Sequence, residues 1–88
     1  MNKLTIKTSD KVEVTQAQAW AIEEGNKYYS KVVDGDQKLA RHLFVAQQYA
    51  IKTGEDEPWE GLFEPLNGLS VYDLNASILK GYTVKEEL

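Results

Sequence analysis

The sequence predicts an α+β domain: a small antiparallel sheet, built from an N-terminal hairpin and a short C-terminal strand, packed on about three helices. Three observations lead there. Apolar residues alternate with polar ones near both ends of the 88-residue chain, at Leu4–Ile6, Val12–Val14 and Tyr82–Val84. Between them the apolar residues recur at helical spacing. Two helix-start signatures punctuate that central region, at Thr15 and Ser70. One domain is expected over residues 1–88, because a chain this short supports a single core.

The hairpin is read from Leu4-Thr-Ile6 and Val12-Glu-Val14, with Ser9-Asp10 between them. A period of two puts Leu4, Ile6, Val12 and Val14 on one face and Lys7 and Lys11 on the other. Thr15-Gln-Ala-Gln18 then matches a capping box, so a helix starts at Gln16. Ala17, Trp20, Ala21 and Glu24 fall on one side of it with Ala19 and Ile22 beside them, and Gly25-Asn26 reads as its stop. Residues 26–33 fit a one-sided helix and a short strand equally well.

Asp34-Gly-Asp36 is a turn that supplies an N-cap for the longest helical pattern, which runs to Gly54. Its apolar stripe is Leu39, Leu43, Ala46 and Ala50, widened by Ala40, Phe44 and Ile51. Lys38, Arg41, Gln48 and Lys52 take the opposite face, with Val45 among them. Pro58 is placed at the start of a single turn, followed by an irregular segment through Gly68, because Pro65 forbids a regular helix through its position. Ser70 caps the last helix, with Leu69 and Leu74 as a hydrophobic staple. Gly81 ends it, and Tyr82-Thr-Val84 forms the last strand.

Composition narrows function more by exclusion than by signature. With 42% hydrophobic residues and no cysteine, the chain has the makeup of a folded globule without disulfides or thiolate zinc sites. No apolar run reaches the roughly 20 residues that span a membrane, and a cytoplasmic location is expected. Residues 1–54 hold eight Lys/Arg against six Asp/Glu, and residues 55–88 hold two against eight, so the acidity is concentrated in the C-terminal part. The net charge of −4 disfavours nonspecific nucleic-acid binding. That reading would rest on Lys3, Lys7 and Lys11 of the hairpin, assisted by Tyr28 and Tyr29 as a stacking pair.

No catalytic constellation is expected. His42 is the only histidine, and the nearest carboxylates in its helix, Asp34 and Asp36, are six or more residues away. Nucleotide-binding, serine-hydrolase and zinc-protease motifs do not occur, and no cofactor or metal is expected. The candidate for function is the acidic-aromatic segment, in which Glu55, Asp56, Glu57 and Glu60 surround Trp59 and Phe63. Carboxylates rimming aromatic anchors suit a protein-binding surface for a basic partner. The simpler reading, and the favoured one, is that Trp59, Leu62, Phe63 and Leu66 form a lid on the central helix, which a small domain needs to cover its core. Homo-oligomerisation is a related expectation, through Val45 and the tyrosines.

The C-terminal third, WEGLFEPLNGLSVYDLNASILKGYTVKEEL, resembles the ending of small uncharacterised proteins of phages and prophages of low-GC Gram-positive bacteria. Leu74, Ile78, Leu79, Gly81, Tyr82 and Val84 carry the likeness. KVEVTQAQAWAIEEG is similar to their strand-to-helix openings. The resemblance implies a small accessory protein working in a bacterial host cytoplasm, and it carries over no catalytic residue.

Overall fold

The computed structural model describes residues 11–85. Strand β1 (Val12–Val14) leads into helix α1 (Gln16–Val32), and a tight turn joins α1 to α2 (Gln37–Lys52). An extended stretch then enters the 3-10 helix Gly61–Gly68, which is followed by α3 (Val71–Lys80) and strand β2 (Tyr82–Val84).

The sheet corrects the sequence reading. β2 pairs with β1 in parallel, Val14 opposite Val84, and no antiparallel pair occurs among the described residues. The first strand expected for the hairpin, Leu4–Ile6, lies outside those residues. Periodicity encodes which residues share a face but not the direction in which two strands meet. Direction is set here by connectivity: parallel strands need a long crossover, and the whole helical run from α1 to α3 provides it. The architecture is therefore chiefly helical, with the strands closing one side.

Helix α1 begins as its capping box requires. Gln18 N donates to Thr15 Oγ1 at 3.0 Å, and Thr15 N donates to Gln18 Oε1 at 2.9 Å. The same Gln18 amide donates through Nε2 to Pro65 O, tying the helix start to the 3-10 helix. α1 does not stop at Gly25-Asn26 but continues to Val32. Gly25 is buried, and its missing side chain is what lets Phe44 of α2 pack against the α1 backbone. This glycine is a contact residue, not a terminator. The real end is the turn Val33–Gly35, where Asp34 and Gly35 adopt positive φ.

Helix α2 is capped by Asp36, whose carboxylate accepts from Leu39 N at 3.1 Å. Its buried face keeps the Ala40 and Phe44 flank of the expected stripe but not its main line. Ala40, Phe44 and Gln48 are buried, whereas Leu39 and Leu43 are 45% and 37% exposed and Ala46 is exposed. The helix packs on α1 along one side and on α3 along the other. Its buried arc is therefore rotated toward Gln48 and away from the Leu39–Ala46 line. On α1 a similar shift leaves Trp20 56% exposed while Ala19, Ala21, Ile22 and Gly25 face inward.

The core is completed by Val14, Leu66, Leu69 and Leu74, with Tyr29, Trp59, Phe63 and Ile78 packed at its edge. Phe44 lies at its aromatic centre. Its ring stacks on Tyr29 at 5.2 Å and meets Trp59 edge-on at 5.9 Å. The segment around Pro65 forms a 3-10 helix, not the irregular run expected. Its short i→i+3 pattern accommodates a proline that an α-helix interior would reject.

Candidate functional site

Trp59 shows how the acidic-aromatic segment is held. Its indole Nε1 donates to Gln48 Oε1 at 2.6 Å, and its backbone N–H donates to Asn67 Oδ1 at 2.9 Å. Asn67 Nδ2 returns a bond to Trp59 O at 3.0 Å. Gln48 then uses its amide nitrogen on two further acceptors, Leu66 O at 3.0 Å and Leu69 O at 2.7 Å. A fully buried amide thus joins α2, Trp59 and the end of the 3-10 helix, with both its oxygen and its nitrogen engaged. Sequence periodicity placed Gln48 on the solvent face. The available signal was chemical: an amide can enter a core where carbonyls and an indole N–H converge on it.

Trp59 and Phe63 are consequently half-buried, their rings tilted together at 5.5 Å and packed against the core. They cover the α1–α2 interface. The carboxylates between and before them point outward: Glu55, Asp56, Glu57 and Glu60 are all exposed. Asp56 is anchored by Gln47 Nε2, which donates to Asp56 Oδ2 at 2.9 Å, while the backbone N–H groups of Glu55 and Asp56 both donate to Ala50 O. These bonds draw the acidic segment back along α2. Gln47 follows Leu43 by four residues and so lies one turn further along the same side of the helix. The expected site residues are thus divided, with four acids on the surface and two aromatics forming their foundation.

The apolar side chains displaced from the core run along α2 toward them. Leu39, Leu43, Ala46 and Ala50 follow one line along α2, and Leu62 of the 3-10 helix is 39% exposed. The outer surface therefore combines an aliphatic row on α2 with an acidic patch at its C-terminal end. Residues expected to fill the core thus contribute apolar surface area.

The other candidate groups are not brought into one site. His42 is exposed, and a shallow hollow at the start of α2 is lined by Asp36, Lys38, Leu39 and His42. Asp36 is occupied as the helix cap, and among the described residues it makes no hydrogen bond to His42. A larger open hollow lies where β1 meets α1, lined by Thr15, Gln16, Ala17 and Trp20, none of them titratable near neutrality. No group of three His, Cys, Asp or Glu among the described residues is placed to hold a metal. Tyr28 and Tyr29 do not form a platform: Tyr28 is exposed, Tyr29 packs on Phe44, and the two rings meet edge-on at 4.9 Å. Lys3 and Lys7 lie outside the described residues. Val45, expected on the outer face with the tyrosines, is half-buried.

Two tyrosines give the domain a pH limit. Burial, with a smaller contribution from Tyr28, raises the Tyr29 phenol above its ordinary value. Burial also raises Tyr82, helped by its hydroxyl donating to Glu23 Oε2 at 3.1 Å and by that carboxylate's charge. Above the ordinary value of 10.0, the unfolded chain loses protons that the folded chain retains. Folding stability is therefore full below that pH and falls as pH rises through the raised values. Thermal melts across the alkaline range should show this decline. Tyr82→Phe should make it shallower, and an unchanged slope would remove Tyr82 from the account.

No helix of the described residues is long and apolar enough to cross a membrane. Comparison with protein-family models, with curated proteins and with solved structures finds no match.

Proposed function

We propose that this is a non-enzymatic interaction domain that binds another protein through the aliphatic row of α2 and the carboxylates at its C-terminal end. One observation carries the reading: Leu39 and Leu43, which helical periodicity assigns to the core, are 45% and 37% exposed. A small domain that leaves such residues outside while burying a glutamine has an apolar surface for a partner to cover. The exposed acids Glu55, Asp56, Glu57 and Glu60 supply the charge that selects and steers that partner. Its chemistry is then a basic amphipathic segment, apolar along one face and cationic at one end. Trp59 and Phe63 act beneath this surface by fixing the acidic segment to α2. The likeness of the C-terminal third to small phage and prophage proteins supports an accessory role in a bacterial host cytoplasm.

A basic amphipathic helical peptide, titrated against the protein by calorimetry, tests the reading directly. The Glu55→Lys/Asp56→Lys/Glu57→Lys variant should bind it about tenfold more weakly, with reduced salt dependence. Pull-down from a Gram-positive host lysate should show the same loss for the natural partner. Equal affinity of both proteins for the peptide, together with identical captured partners, would refute the acidic surface.

A further inference from the structure

At the far end of α2 from the acidic segment, a second surface has the opposite character. α2 and α3 run antiparallel: Lys52 Nζ donates to Asn67 O, Gln48 bonds Leu69 O, and Arg41 Nη1 donates to Asn75 Oδ1 at 3.0 Å. This alignment brings the start of α2 to the end of α3. The hollow between them is lined by Gln37, Lys38, Arg41, Ile78 and Leu79. Its volume of about 260 Å³ is below the roughly 300–1,000 Å³ of small-molecule sites and suits one or two inserted side chains. Lys38 is exposed, and neither Lys38 nor Arg41 forms an ion pair among the described residues. Arg41 spends one N–H on Asn75 and retains others for an acceptor. Ile78 is half-buried and Leu79 is 58% exposed, so the hollow has aliphatic walls under a cationic rim.

We propose that this hollow receives the Glu55–Leu62 segment of a second copy of the chain. The segment has the matching chemistry: exposed Glu57 and Glu60 for Lys38 and Arg41, and the exposed Leu62 side chain for Ile78 and Leu79. One chain cannot join its own two surfaces, since the fourteen-residue separation of Lys38 and Lys52 along α2 amounts to about 21 Å. Two copies can. Because different surfaces meet, the association is head-to-tail and leaves one acidic segment and one hollow free at its ends, so further copies add until a ring closes. Carboxylate pairing in an exposed rim makes assembly weaken with salt. The proposal rests on the reading of the Glu55–Glu60 carboxylates as part of a docking surface and names what they meet.

Two variants, each confined to exposed residues of one surface, decide it: Glu57→Lys/Glu60→Lys and Lys38→Glu/Leu79→Glu. Light scattering after size exclusion should give wild-type masses above the 10.0 kDa of one chain, rising with concentration and falling with salt. Each variant alone should be monomeric, with unchanged circular dichroism. Their equimolar mixture brings one intact hollow to one intact acidic segment, and its two reversed surfaces are again of opposite charge, so assembly should return. A wild type that stays monomeric at its solubility limit would overturn the proposal. So would variants that still assemble alone, or a mixture that remains monomeric. The basic peptide separates the two ideas. A monomeric wild type that binds it, with binding lost in Glu57→Lys/Glu60→Lys, leaves the docking surface standing without self-assembly; no binding and no assembly remove both.

Discussion

Gly25→Ala should lower the stability of this domain, although alanine is the better helix former. In an open helix the change would favour folding by about 1 kcal/mol. At Gly25 the added Cβ would lie 2.5 Å from Phe44 Cε2 and closer still to Cζ, with Cε1 at 3.1 Å. The ring has little freedom to retreat, because Tyr29 stacks on it and Trp59 meets it edge-on. Overpacking of this kind costs roughly 1–3 kcal/mol, and several close ring atoms place this case at the upper end. The net loss should be about 2 kcal/mol, or a melting temperature lower by ~8–16 °C for a domain of this size. Phe44→Leu in the same chain gives the alanine room. The double variant should therefore lose less than the sum of its single losses. A neutral or stabilising Gly25→Ala would mean that α1 and α2 are not packed as described.

The second large effect is expected at Gln48. Gln48→Leu preserves approximate volume and would be a favourable exchange on a purely hydrophobic scale. It removes the donor shared by Leu66 O and Leu69 O and the acceptor of Trp59 Nε1. Each buried polar group left without a partner costs about 1–3 kcal/mol. Leu66 O keeps its bond from Leu69 N–H, so even if water reaches the indole, the stranded Leu69 O implies a loss of about 2 kcal/mol. The acidic segment should also loosen, since Trp59 loses its bond to α2. Gln48→Glu keeps the acceptor for the indole but removes both donated bonds, so it should not restore stability. Chemical denaturation measures the loss, and indole hydrogen exchange at Trp59 reports the loosening. A Gln48→Leu protein as stable as wild type would dismiss the buried network as a stabilising element.

These residues also mark what could be read from the sequence and what could not. Local signals were dependable where the cause was local: Thr15 with Gln18, Asp36 with Leu39 N and Ser70 with Asp73 N all cap helices as their spacing indicated. Signals that depend on a neighbouring element were not. Gly25 has the identity of a helix stop, and only Phe44, nineteen residues later, gives it another purpose. Gln48 is polar in a list of residue types yet buried once Trp59, Leu66 and Leu69 surround it. The antiparallel sheet failed for the same reason, since alternation at Val12–Val14 and Tyr82–Val84 carries no direction. For the candidate site, the acidic residues and Trp59 were legible as a segment. Their setting at the end of a surface row that starts at Leu39 and Leu43 was not, because those leucines were assigned to the interior.

The parallel pairing of β1 with β2 has a consequence for the order of folding. Val14 and Val84 meet across nearly the whole described chain, so their contact closes a loop of seventy residues among those described. The α1–α2 hairpin can form through near neighbours, and during synthesis it can pack before β2 has been made. The sheet is then expected to form last, once α3 has brought Tyr82 back beside Val12. With three residues in each strand, it is also the part expected to open first under native conditions. The two strands thus act as a latch that closes over the helices, with Val14 adding its side chain to their core.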